Sequence, residues 1–162
     1  HMLQALDEFP APTVACVQGN AYGGGVGLVA CCDLVLAVER AKFALTEVRL
    51  GLVPATISPH VVAAIGARQA RRYFLTGEAF DAPTAMRLGL VHEVVAEPDF
   101  ESRIAAHATA LLAGGPQAQR EAKELIREVQ GHAPDAALRQ STSHRLARLR
   151  ASAEGQEGVG AF

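Results

Sequence analysis

Cysteine is scarce in this sequence: there are 3, and two of them, Cys31 and Cys32, are adjacent. Three thiols cannot form a disulfide framework, and their spacing matches no zinc-ligand pattern. They read as small apolar residues of a reducing compartment, so the expected location is cytoplasmic. Excess charge is missing too. Lys and Arg number 15 against 17 Asp and Glu, giving a net charge of −2 and a pI near 6.3. Without a positive field to draw phosphates, neither nucleic acid nor an anionic membrane is an expected partner. No apolar run reaches bilayer-spanning length; the stretch from Ala11 to Val38 is broken by glycines, Asn20 and Asp33. Internal repeats, low-complexity tracts and a signal or transit pattern are absent as well.

What is present is the composition of an ordered chain, 49% hydrophobic and 20% charged over 162 residues, enough for one respectable core. Leu3 to Pro10 reads as the last turns of a helix, which raises the expectation of a missing N-terminal part. The apolar run Thr13-Val14-Ala15-Cys16-Val17-Gln18 reads as a buried strand. After it comes Gly19-Asn20-Ala21-Tyr22-Gly23-Gly24-Gly25, then a helix start from Val26 to Cys31. Strand, glycine loop and helix start together point unpaired N–H groups at something negative, and glycines let a ligand approach the backbone. A ligand-free tight turn is the competing reading.

Farther on, 32–38 and 41–45 read as strands and 46–55 as an irregular connection. Ser58 and Pro59 read as N-cap and first residue of a helix stopping at Gly66, followed by helices ending at Gly77 and Gly89. Leu90 to Val95 reads as a strand. From Asp99 the pattern is helical only: Phe100 to Ala113, a helix opened by Pro116, and a long one opened by Pro134-Asp135 reaching about Ala153. The expected organisation is a mixed α/β part, 1–98, and an all-helical part, 99–162.

Glu47 is the leading candidate for chemistry. It sits among Leu45, Val48, Leu50 and Leu52, an apolar setting suited to general acid/base duty, and it follows the two strands after the glycine loop. The plainer alternative is a surface glutamate paired with Lys42 or Arg49. A dinucleotide fingerprint also has to be weighed, because Gly25 to Ala30 fits G-x-G-x-x-A. Glu39, however, comes 14 residues after Gly25, where about 20 are needed for the ribose-binding acid. A phosphate-gripping P-loop fails, since no Lys-Ser or Lys-Thr follows the glycines. His60, His92, His107, His132 and His144 show no metal-ligand spacing, so no metal site is expected. Arg68, Arg71 and Arg72 read as a solvated helix face.

Several spaced segments carry a resemblance. Phe9-Pro10-Ala11-Pro12-Thr13-Val14-Ala15, Gly19-Asn20-Ala21-Tyr22-Gly23-Gly24-Gly25, Cys32-Asp33-Leu34, Lys42-Phe43, Glu47 and Leu50-Gly51-Leu52-Val53-Pro54 look like the central signature of the crotonase family. Leu75-Thr76-Gly77, Ala85 and Gly89-Leu90-Val91 match at the expected intervals, and the resemblance runs from Leu3 to Phe162. It implies an α/β fold: a crotonase-like ββα spiral core, incomplete here, then a helical trimerisation region, with trimers pairing into hexamers. It also implies acyl-CoA thioesters as ligands, coenzyme A being part of the substrate and no cofactor bound permanently.

In that family two backbone N–H groups hold the thioester oxygen. The match places one at Gly24, beside Gly23, with Ala55 at the substrate; the other belongs to an earlier unit of about a hundred residues that this chain lacks. Catalytic impairment of the 162-residue piece is therefore expected. Hydratases of the family usually carry two glutamates. The second matches Glu47, and the first falls at Gly27. The glycine-rich turn after Pro54 is replaced by Ala55-Thr56-Ile57-Ser58-Pro59. Gly27 to Asp33 combined with Glu47 to Pro59, and Ser152 to Gly158 as well, resemble a methylglutaconyl-CoA hydratase-like branch. The resemblance implies an enoyl-CoA hydratase-type lyase; a double-bond isomerase using Glu47 alone and a non-catalytic acyl-CoA-binding module are the alternatives.

Overall fold

The apolar runs that frame the glycine loop become parallel strands because each is followed by a crossover back to the same edge. In the computed structural model, which describes residues 1–161, a short helix α1 (Met2–Asp7) precedes β1 (Val14–Val17), β2 (Ala21–Tyr22) and α2 (Gly24–Ala30). Then come β3 (Leu34–Val38), β4 (Lys42–Ala44), a 3-10 turn (Glu47–Leu50) and α3 (Ser58–Thr76). β5 (Ala79–Asp81), α4 (Ala82–Leu88), β6 (Glu93–Val95) and α5 (Phe100–Leu112) follow. Twice in succession the chain gives one strand to each of two sheets and then a helix. One sheet has the order β1-β3-β6 and is all parallel; the other is β2-β4-β5, with β2 parallel and β5 antiparallel to β4.

Side chains pin these ladders at their ends. Asp33 accepts from the N–H (2.7 Å) and hydroxyl (2.9 Å) of Thr13, fixing where β1 meets β3. Asn20 Oδ1 accepts from the Lys42 N–H at 3.1 Å and fixes the start of β4. His92 extends the first sheet: its Nδ1 accepts from the Val35 N–H at 3.0 Å, and its own N–H donates to the Val35 carbonyl at 2.9 Å. The core between sheets and helices is mainly aliphatic, Val26, Val35, Leu36, Leu45 and Val61 being buried, with Phe43, Tyr73 and Phe80 in ring contact. At the edge of this core, Arg103 and then His107 hydrogen-bond Glu93 and hold its carboxyl down at about 2.

The chain divides into two units, His1–His107 and Ala108–Phe162; Phe162 itself, the end of the expected helical part, lies outside the described residues. The second unit contains α6 (Pro116–Val129), α7 (Ala136–Arg150) and α8 (Ala153–Gly160). Several expectations need correction. The last helix does not run unbroken to Ala153: Ser152 turns the chain and caps α8 by accepting from the Gly155 N–H. β2 and β5 are strands too short for their alternation to register in the sequence. Ser58 is not the cap of α3 but its first residue, after Ile57; its hydroxyl donates back to the Ala55 carbonyl at 2.9 Å. The expected stop at Gly66, by contrast, is present: φ 74° and ψ 153° leave the helical region there, so α3 is two helical stretches meeting at a kink. Among the described residues no helix is long and apolar enough to cross a membrane.

Candidate active site

Three consecutive glycines end β2 and open α2, and the first carries the strain. Gly23 has φ 50° and ψ −118°, a conformation for which a Cβ is costly. That turn lets its N–H donate to the Ala44 carbonyl at 2.9 Å, tying the loop to the end of β4. Its carbonyl accepts from Val26 (2.9 Å) and Gly27 (3.3 Å), which starts the helix. The N–H of exposed Gly24, at the first helical position, has no intrahelical acceptor and lies at the positive end of the peptide dipoles.

β4 then delivers Glu47 to the same place. The strand ends at Ala44, Leu45 is buried, and the 3-10 turn swings the next residues over the loop. Glu47 Oε1 lies 3.1 Å from the position a Cβ on Gly23 would take. The other oxygen, Oε2, is buried without a hydrogen-bond partner. Glu47 is half-buried and, among the described residues, forms no ion pair with Lys42 or Arg49; Arg49 instead lies against Gly77. The plainer alternative for Glu47 therefore does not describe this structure. A carboxylate with one oxygen free of protein donors, beside an open helix N-terminus, can pass a proton to a ligand whose negative charge faces the backbone.

Ala55 is not drawn into this pair in the same way. It is exposed, its N–H donates to the Val53 carbonyl at 2.8 Å and its carbonyl accepts from Ser58, so its polar groups are used locally. Gly27, one turn along α2 from Gly23, carries no carboxylate and has no room for one: a Cβ there would lie 2.2 Å from Ile57 Cγ2. No sequence pattern singled out Ile57. A recess of about 450 Å³ runs along the glycine loop at Gly19, Asn20 and Gly25 and reaches Cys16 and Leu28, and another of about 970 Å³ lies wholly in the second unit; neither is lined by Glu47. Among the described residues no group of three His, Cys, Asp or Glu could hold a metal ion.

The Gly23 geometry makes a direct expectation. Gly23→Ala should cost about 1–3 kcal/mol of stability from backbone strain, whereas Gly25→Ala, whose Cβ would meet only Ala21 Cβ at 3.7 Å, should be tolerated. Thermal melts of the two variants side by side check this.

Comparison with known proteins finds relatives along the whole chain. The Enoyl-CoA hydratase/isomerase family model matches residues 1–162. A putative enoyl-CoA hydratase of Thermus thermophilus is 34% identical over 154 residues, covering 95% of this chain and 60% of that protein. The crystal structure of an enoyl-CoA hydratase from Shewanella pealeana superposes with a TM-score of 0.95 at 45% identity, over 99% of this chain and 60% of the other. A putative enoyl-CoA hydratase/isomerase (crotonase) from Legionella pneumophila superposes with a TM-score of 0.94 at 40% identity, over 99% and 62%. The chain thus spans about three fifths of the length of these proteins.

Proposed function

The chain belongs to the enoyl-CoA hydratase/isomerase family and has its α/β crotonase-like fold, and we propose that its site adds water to a 2-enoyl-CoA thioester. One observation carries the reading: the Glu47 carboxylate is set over Gly23, with Oε2 free of protein donors, next to the open N–H of Gly24. In the forward direction Glu47 takes a proton from water as its oxygen bonds to the β carbon. The electron pair of the double bond moves through the α carbon onto the thioester oxygen, which the Gly24 N–H stabilises as an enolate. Glu47 then returns the proton to the α carbon. The sum is the addition of one water, and one carboxyl handles both transfers.

The same reading gives Gly23 the role of bringing the backbone close to the thioester and Ala55 that of a surface against which substrate lies. Coenzyme A arrives as part of the substrate, and no other cofactor takes part. A branched, methylglutaconyl-CoA-like acyl group is the finer proposal, supported by the Gly27 to Asp33 and Glu47 to Pro59 segments that suggested that branch. A second oxyanion donor is assigned to a unit outside residues 1–162, so that turnover by these residues alone is impaired. We also assign the core to 1–98, self-association into trimers or paired trimers to 99–162, and the whole to the cytoplasm. Support for self-association comes from Leu112, Ile126, Leu146 and Val159, which are exposed in the helical unit.

Isomerisation of a 3-enoyl-CoA by Glu47 alone is the second reading, favoured by the Ile57 side chain that fills the space beside Gly27. Turnover in heavy-oxygen water by the polypeptide as its gene encodes it separates the two. Hydration places solvent oxygen in the product; isomerisation yields the shifted double bond with none. Tight acyl-CoA binding without either product would overturn both and leave a binding module.

A further inference from the structure

Gly23 is the N-cap of α2 and Gly27 lies inside the helix, one turn further on. Neither has a side chain, and each is covered by a residue from the same downstream segment. Glu47 lies over Gly23, its Oε1 3.1 Å from the would-be Cβ; Ile57 lies over Gly27, its Cγ2 2.2 Å and its Cβ 2.7 Å from the would-be Cβ. The chain from 47 to 57 is thus held against the start of α2 at both ends, one turn apart.

Between those ends its one other hold is the contact of Val48 and Arg49 with Gly77, and most of its side chains are exposed. Leu50, Leu52 and Val53 are 74%, 60% and 73% exposed, whereas Ile57 is 3% exposed. Of the residues from Val48 to Thr56 only Pro54 is buried. The segment is nevertheless stiffened from within: Leu52 donates to the Glu47 carbonyl at 3.0 Å, Ala55 to Val53 at 2.8 Å and Ser58 to Pro54 at 3.0 Å. A stiff connection fixed at one end transmits that fixation to the other.

We propose that Ile57 is a positioning residue for Glu47: seated in the side-chain-free notch at Gly27, it anchors the 47–57 connection and so sets where the carboxylate stands relative to the Gly24 N–H. The inference rests on the proposed role of Glu47. It also gives a reason for a glycine inside α2, where alanine would otherwise be the better helix former. The notch is there because Ile57 needs it, and the same fit keeps any side chain of position 27 away from the site.

The test compares Ile57→Val, which keeps both Cβ and a Cγ2 in the notch, with Ile57→Ala, which removes the methyl. Acyl-CoA turnover is assayed in the polypeptide as encoded, with near-UV circular dichroism and a thermal melt showing that each variant is folded at the assay temperature. The expected result is a kcat about 10-fold or more below wild type for Ile57→Ala, with KM within about 3-fold, since a carboxylate displaced by an ångström loses far more rate than binding. Ile57→Val should stay within about 2-fold. Gly27→Ala/Ile57→Gly, which removes both close atoms and leaves the residue-57 Cα 3.7 Å from the new Cβ, should fold and yet share the low kcat. Equal kcat for the alanine and valine variants, or a fall in melting temperature with kcat unchanged, would overturn the positioning role. Wild-type turnover by Glu47→Gln would instead overturn the catalytic reading beneath it, so the two failures are told apart.

Discussion

Glu47→Gln should lower kcat by roughly 10²–10⁴-fold, the range supplied by a general acid/base, with little change in KM. The substitution keeps the size of the side chain and removes only its ability to take and return a proton. In the structure Oε2 has no donor from the protein, so no salt bridge is broken and no arginine is left unpaired by the change. The fold should therefore survive, and the loss should fall on the chemical step. Glu47→Asp sharpens the argument. It keeps the charge but withdraws the carboxylate by one methylene from the loop at Gly23, and a misplacement of about an ångström can cost about 10²-fold. An intermediate kcat for aspartate would show that reach matters as well as charge. Glu39→Gln serves as the control, because Glu39 is exposed at the end of β3 and holds the acidic position of the dinucleotide pattern. Full activity in that variant together with loss in Glu47→Gln isolates the Glu47 carboxylate. Steady-state kinetics with enoyl-CoA substrates, run with a melt for each variant, measures all three; wild-type kcat in Glu47→Gln would remove Glu47 from the chemistry.

How much of this site was legible in the sequence depends on whether local chemistry or tertiary contact decides each residue. The glycine loop was legible because strand, glycines and helix start leave a pattern in consecutive residues, and the start of α6 at Pro116 was legible for the same reason. Glu47 drew attention through its apolar neighbours, but its lack of an ion pair and its contact over Gly23 are consequences of how β4 pairs beside β2. Ile57 left no mark of its own beyond its place in the segment after Pro54. It is one aliphatic residue before a helix, and only the meeting of α2 and α3 gives it a partner at Gly27. β2 and β5 were missed because two or three residues show no alternation, and α8 because Ser152 resembles any polar residue of a helix until its hydroxyl is seen to cap the next one.

The largest stability effect is expected in the helical unit, at Glu121. It is the buried residue of that unit among those described, 5% exposed, where an apolar core residue would ordinarily stand. Glu121, Glu124 and Glu128 follow one face of α6, and Arg145 and Arg148 follow the facing turns of α7. Arg145 hydrogen-bonds Glu121, reaches Glu124 at 3.3 Å and meets Glu128 at 2.7 Å; Arg148 meets Glu121 at 2.9 Å. Burying such a cluster gains little over an apolar contact of the same shape, but breaking it loses hydrogen bonds between charged groups. Arg145 is only 18% exposed and its Nε already lacks a partner. Glu121→Ala should therefore cost about 2–3 kcal/mol, the upper range for hydrogen bonds to charged groups, because Arg145 still keeps Glu124 and Glu128. Arg148→Ala should cost only about 0–1 kcal/mol, because that side chain is 62% exposed and solvent replaces what it loses. Urea denaturation followed by helical circular dichroism measures the series. If Glu121→Ala and Arg148→Ala lose the same small amount, the cluster is a solvated surface network, and the contact between α6 and α7 must be held by something other than buried charge.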